Sequence, residues 1–155
     1  MIITNIIGGL GNQIFQYAFH LYLKRNLPEQ THFLNICDFE NYTLHSGYLL
    51  EKVFDIKEQY TDKVYLERFK KDNLIKRIGN KTGMTKNQII FDNKFEGIGQ
   101  LSGGKNYLFH GYWQNKTYVE SLQQTLNEKL KFNIEPDTEE KKIMELMEQN
   151  VSVSL

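Results

Sequence analysis

Cysteine is almost missing from this chain. Cys37 is the only one in 155 residues, which excludes an internal disulfide and any zinc cage built from cysteines. A lone thiol suits a reducing compartment. Net charge is missing as well: nineteen Lys and Arg balance nineteen Asp and Glu, so no general field draws nucleic acid or an anionic membrane. No apolar run approaches the ~18 residues of a membrane span. The first residues lack the basic flank and small-residue cleavage site of a signal peptide, and glycines fall where its apolar region would be. The expectation from these features is a cytoplasmic chain, with peripheral contact at the inner membrane as its membrane association. There is no internal repeat, low-complexity tract or linker, and only two prolines, so residues 1–155 are read as one domain.

What is present argues for a folded globule: 40% of residues are hydrophobic and 13% aromatic, enough for a real core at this length. Residues 2–7 form an apolar run that reads as a buried strand. A helix is expected from Asn12, capped by that side chain, to about residue 26, with Ile14, Ala18 and Leu21 along one face and Pro28 as its stop. "THFLNI" (31–36) reads as a second strand, and strand–turn–helix–strand is a βαβ unit with a parallel, right-handed crossover. Residues 62–78 look helical, 79–106 look like loops with brief strands, and "NYLFHGYWQ" (106–114) alternates like a strand with a buried aromatic face. Thr117 and Glu120 form a capping box for a helix over 117–132. An amphipathic helix follows Pro136, and "VSVSL" (151–155) alternates like a strand.

The segment "GGLGNQIFQYAF" (8–19) carries three glycines in four positions at the mouth of a helix. Such a bare backbone either makes a tight turn or admits a ligand closer than a Cβ allows, often a phosphate. Residues 9–14 spell G-x-G-x-x-I, and Ile14 cannot replace the third glycine of a dinucleotide fingerprint. "GQLSGGKN" (99–106) falls one residue short of a P-loop, since Asn106 stands where Ser or Thr would bind magnesium, and a strand pattern follows it. His20, His32, His45 and His110 lack metal spacing, and His20 and His110 sit in aromatic runs that read as core. "GYWQ" (111–114) offers aromatic faces that suit either a sugar or the core.

Three blocks together resemble the bacterial α-1,2-fucosyltransferases of glycosyltransferase family 11. They are "GGLGNQIFQYAF" (8–19), "HSGYLLEKVF" (45–54) and "FHGYWQNKTYVESL" (109–122), in the family's order. The resemblance implies an α/β fold: the Rossmann-like N-terminal lobe of a two-lobe, GT-B-type glycosyltransferase. It also implies inverting, metal-independent transfer of fucose from GDP-fucose to the 2-hydroxyl of a galactose-containing glycan, with no cofactor. Carried over by motif, Gly9, Gly11 and Asn12 would face the donor pyrophosphate, and His45, Tyr112 and Trp113 would be glycan contacts.

The family's His-x-Arg-Arg-x-Asp donor motif has no counterpart in this chain, where Arg25, Arg68 and Arg77 stand apart. The expectation is therefore an N-terminal lobe over 1–155 without the C-terminal donor-binding lobe, inactive alone and prone to self-association through the uncovered lobe interface. A free-standing carbohydrate-binding lobe and an unrelated Rossmann-like phosphate binder are the alternatives. No general base stands out among the loop carboxylates Asp38, Glu40 and Asp92.

Overall fold

The computed structural model describes residues 1–41, 46–79, 86–133 and 135–149. The expected strand at 151–155 and the candidate contact His45 lie outside them. Four strands, β1 (Ile2–Asn5), β2 (His32–Asn35), β3 (Asn87–Phe91) and β4 (Asn106–His110), form one parallel sheet in the order β2-β1-β4-β3. Helix α1 (Leu10–Asn26) makes the β1–β2 crossover, and α3 (Lys63–Gly79) lies between β2 and β3 in the chain. The fold is thus α/β with a parallel sheet flanked by helices, as in a Rossmann-like lobe.

Strand alternation divides the core. Ile2, Tyr107 and Phe109 face α1, packing on Phe19, Leu23 and Trp113. Ile3 and Leu108 face α3, packing on Leu66 and Phe69. A third cluster joins Ile6, Tyr17, Ala18, Leu21 and Leu34 to Leu50 and Phe54 of α2 (Leu50–Phe54). The Phe19 and Trp113 rings stack at 3.8 Å and 3°, a contact worth about 0.5–1.5 kcal/mol beyond its buried area.

Several boundaries differ from the sequence reading. Helix α1 begins at Leu10, not Asn12: Gly9 is its N-cap and Asn12 caps nothing. The strand expected over 106–114 ends at His110, because Gly111 (φ 154°) and Trp113 (φ 55°) turn the chain out of the sheet. Asn115, not Thr117, caps the next helix, accepting from the Thr117 backbone N–H at 2.9 Å. The single helix expected over 117–132 is two, α4 (Lys116–Ser121) and α5 (Gln123–Lys129), broken at Leu122. Asp137 starts α6 (Thr138–Gln149): its carboxylate accepts from the N–H groups of Glu139 and Glu140, and Glu140 accepts in return from the Asp137 N–H.

Candidate functional site

In open parallel sheets ligands gather beyond the carboxyl ends of the strands, and here two features meet at that edge. The first is the glycine turn leading from β1 into α1. Gly8 has φ +78°, and a Cβ there would sit 2.8 Å from Asn12 Nδ2, so the fold itself demands this glycine. Gly11 is different. It lies in the first turn of α1, is exposed, and a Cβ on it would meet nothing within 4 Å. A glycine in a helix costs roughly 0.5–1 kcal/mol relative to alanine, and no contact in the fold requires this one.

Asn12 is half-buried, and its Oδ1 accepts from Gln114 Nε2 at 2.8 Å. Its remaining polar atom is the donor Nδ2. The turn therefore presents amide donors at the N-terminus of a 17-residue helix with no acidic residue in its first turn. That arrangement suits an anion.

Two buried glutamines, missed by the sequence reading, hold this edge together. Gln16 accepts from the Ile7 N–H at 2.9 Å and donates to the Gly111 carbonyl at 3.1 Å, tying the loops after β1 and β4. Gln13 donates to the carbonyls of Gly8 and Gly47 and accepts from the Leu49 N–H, each at 2.9 Å. Both side chains are fully buried. Their signal in the sequence was two long polar residues at i and i+3 on an otherwise apolar helix face.

The second feature is a polar row on the α3 side of the sheet. Asn5 pairs with Asn35, and His110 with Phe91, one residue from each strand at the carboxyl end. Asn5 Nδ2 lies 2.9 Å from His110 Nδ1 and 3.4 Å from Asp38 Oδ2, and Asn35 Nδ2 donates to Asn5 Oδ1. These residues, with Leu66, Lys70, Ile89 and Leu108, line a cavity of about 240 Å³. His110 is thus a cavity residue and not the core histidine that its aromatic run suggested.

The other sequence candidates separate. Trp113 is 3% exposed and stacked in the core, whereas Tyr112 is 47% exposed. Asp92 accepts from the Tyr112 and Asn93 N–H groups, and its carboxyl leaves no room for a Cβ on Gly111. Glu40 pairs with Lys63 on the surface. Of the three loop carboxylates, Asp38 is the one in the cavity beside the polar row. At the opposite edge of the sheet, burial opposes ionisation of Glu58, but His20 and Lys24 beside it hold its pKa down at about 2. Burial also lowers the pKa of His20, which bonds Thr4 Oγ1 at 3.2 Å.

No group of three or more His, Cys, Asp or Glu able to hold a metal ion occurs among the described residues, and no helix among them is long and apolar enough to cross a membrane. No family profile matches the chain, and no solved structure matches it. One curated relative, an alpha-1,2-colitosyltransferase of Escherichia coli, is 28% identical over 137 residues, covering 83% of this chain. The chain spans less than half of that relative, 44% of its length. The similarity supports a relationship to the glycosyltransferases.

Proposed function

We propose that this chain is one lobe of a two-lobe, GT-B-type transferase that moves a 6-deoxy-L-hexose from a GDP-linked donor to the 2-hydroxyl of a galactoside. The sequence resemblance names fucose, and the relative's name specifies colitose, the 3-deoxy counterpart of fucose, with the same α-1,2 linkage. Both therefore favour one sugar class. The observation that carries the reading is Gly11: a glycine that the fold does not need, on an open first helical turn, beside the donor Asn12 Nδ2. A diphosphate leaving group gains charge as the glycosidic bond breaks, and preorganised amide donors stabilise that charge without a metal. Gly9, Gly11 and Asn12 would be those donors, and Tyr112 the exposed aromatic available to a glycan.

Transfer needs donor capture and acceptor positioning in one closed cleft, and the described residues form one wall of it. Arg25, a candidate phosphate partner by charge alone, is engaged by the Ser121 carbonyl at 2.8 Å. Incubation with GDP-fucose and lactose is expected to give no fucosylated product from this chain alone. Weak binding of GDP-fucose that Gly11→Ala abolishes supports the donor assignment, and no binding, or binding unchanged in that variant, refutes it.

A further inference from the structure

The polar row at the carboxyl edge has a fixed hydrogen-bond polarity. The Cys37 backbone N–H, which can only donate, bonds Asn35 Oδ1 at 3.0 Å. Asn35 must therefore turn its Nδ2 toward Asn5 Oδ1. That leaves Asn5 Nδ2 facing His110 Nδ1 and Asp38 Oδ2. Reversing either amide would set two donors against each other in a place where Asn5 and Asn35 are 2% and 3% exposed. His110 Nδ1 is thus the acceptor, and the ring proton sits on Nε2.

The cavity consequently offers a placed donor, His110 Nε2–H, and a placed acceptor, the Asp38 carboxylate. Phe91 adds an apolar face: it is 45% exposed, and its ring meets that of His110 edge-on at 5.6 Å. Lys70, the cation in the lining, is held by Glu67 at 2.8 Å, and the Asp38 carboxylate opposes an anionic guest. A volume of about 240 Å³ is below the ~300–1,000 Å³ of drug-sized pockets and fits one small ring. A donor, an acceptor and an aromatic face around a ring-sized space match a pyranose, whose hydroxyls need both polarities and whose C–H face is apolar.

We propose that this cavity seats one pyranose unit of the acceptor glycan, with His110 and Asp38 bonding its hydroxyls and Phe91 lying against its C–H face. That the sugar is an acceptor rests on the transferase reading; that the cavity takes a sugar does not.

The test is a titration of the isotope-labelled chain with methyl β-D-galactopyranoside, followed by amide shifts, with GDP titrated separately. The galactoside is expected to move the signals of Asn5, Cys37 and His110, and Asp38→Ala and Phe91→Ala each to weaken it by about fivefold or more. Both side chains are on the surface, so the variants are expected to retain the wild-type spectrum elsewhere. Ring-nitrogen shifts of His110 are expected to show Nδ1 unprotonated and Nε2 protonated. The proposal is overturned by no movement at the cavity up to about 100 mM sugar, by binding that neither variant weakens, or by a proton on Nδ1. Cavity shifts with galactoside but none with GDP uphold the sugar site while removing the donor reading; the converse removes only the sugar site.

Discussion

Gln114 Nε2 donates to Asn12 Oδ1 at 2.8 Å, across 102 residues of sequence. In this bond the oxygen of the Asn12 amide is the end that is spent. The oxygen is occupied by the loop after β4, which leaves the nitrogen, beside Gly8, as the remaining polar atom of Asn12. A donor there suits phosphate oxygens and disfavours a cation.

The glycines of the turn separate by their tasks. Gly8→Ala should destabilise the fold by about 1–2 kcal/mol, because a left-handed φ is costly for alanine and its Cβ would strike Asn12. Gly11→Ala should leave stability unchanged or raise it by about 0.5–1 kcal/mol, since the Cβ meets open space in a helix. Denaturant unfolding of the two variants checks this. Equal destabilisation would mean that Gly11 is structural and that its openness signals no ligand.

Gln16→Leu is expected to cost about 2–4 kcal/mol, because it leaves the Ile7 N–H and the Gly111 carbonyl without their partner in a buried setting. Gln114→Ala, on an exposed side chain, should cost less than about 1 kcal/mol. Thermal unfolding gives the comparison. A small effect at Gln16 would show that the two loops are held by something other than this bridge.

Acid should weaken the fold through Glu58. Its pKa is held at about 2, below its ordinary value of 4.5, so its stabilisation is complete above pH 4.5 and is lost as the pH falls through about 2. The contribution at neutral pH is on the order of 1–3 kcal/mol, discounted because Lys24 is partly in solvent. Glu58→Gln should flatten stability against pH across that window. An acid limb unchanged in the variant would assign the effect to other carboxylates.

Much of this architecture was legible in the sequence. The β1–α1–β2 unit followed from an apolar run, a glycine turn and a helical stripe, because the signals that specify its elements lie within one short stretch of sequence. Residues 87–91 were harder: β3 sits at an edge with four residues half-buried and Phe91 exposed, so its alternation is weak. The break at Leu122 was hidden because Val119, Leu122 and Leu126 keep helical spacing across it, and tertiary packing of Leu122 overrides the pattern. His110 was misread because its neighbours Phe109 and Trp113 are core while it faces the other side of the sheet. The Asn5–Asn35–His110 row could not be found from spacing. Its members come together only once the strand order places β1 between β2 and β4.

The glycine turn as a diphosphate seat is tested most directly by titrating GDP into the labelled chain and following the amide signals of residues 8–13. Leu10, Gly11 and Asn12 are expected to move most, with a dissociation constant of about 1 mM or weaker because one wall binds alone, and Gly11→Ala to remove the response while keeping the fold. Shifts centred elsewhere, or a response unchanged in Gly11→Ala, would contradict it.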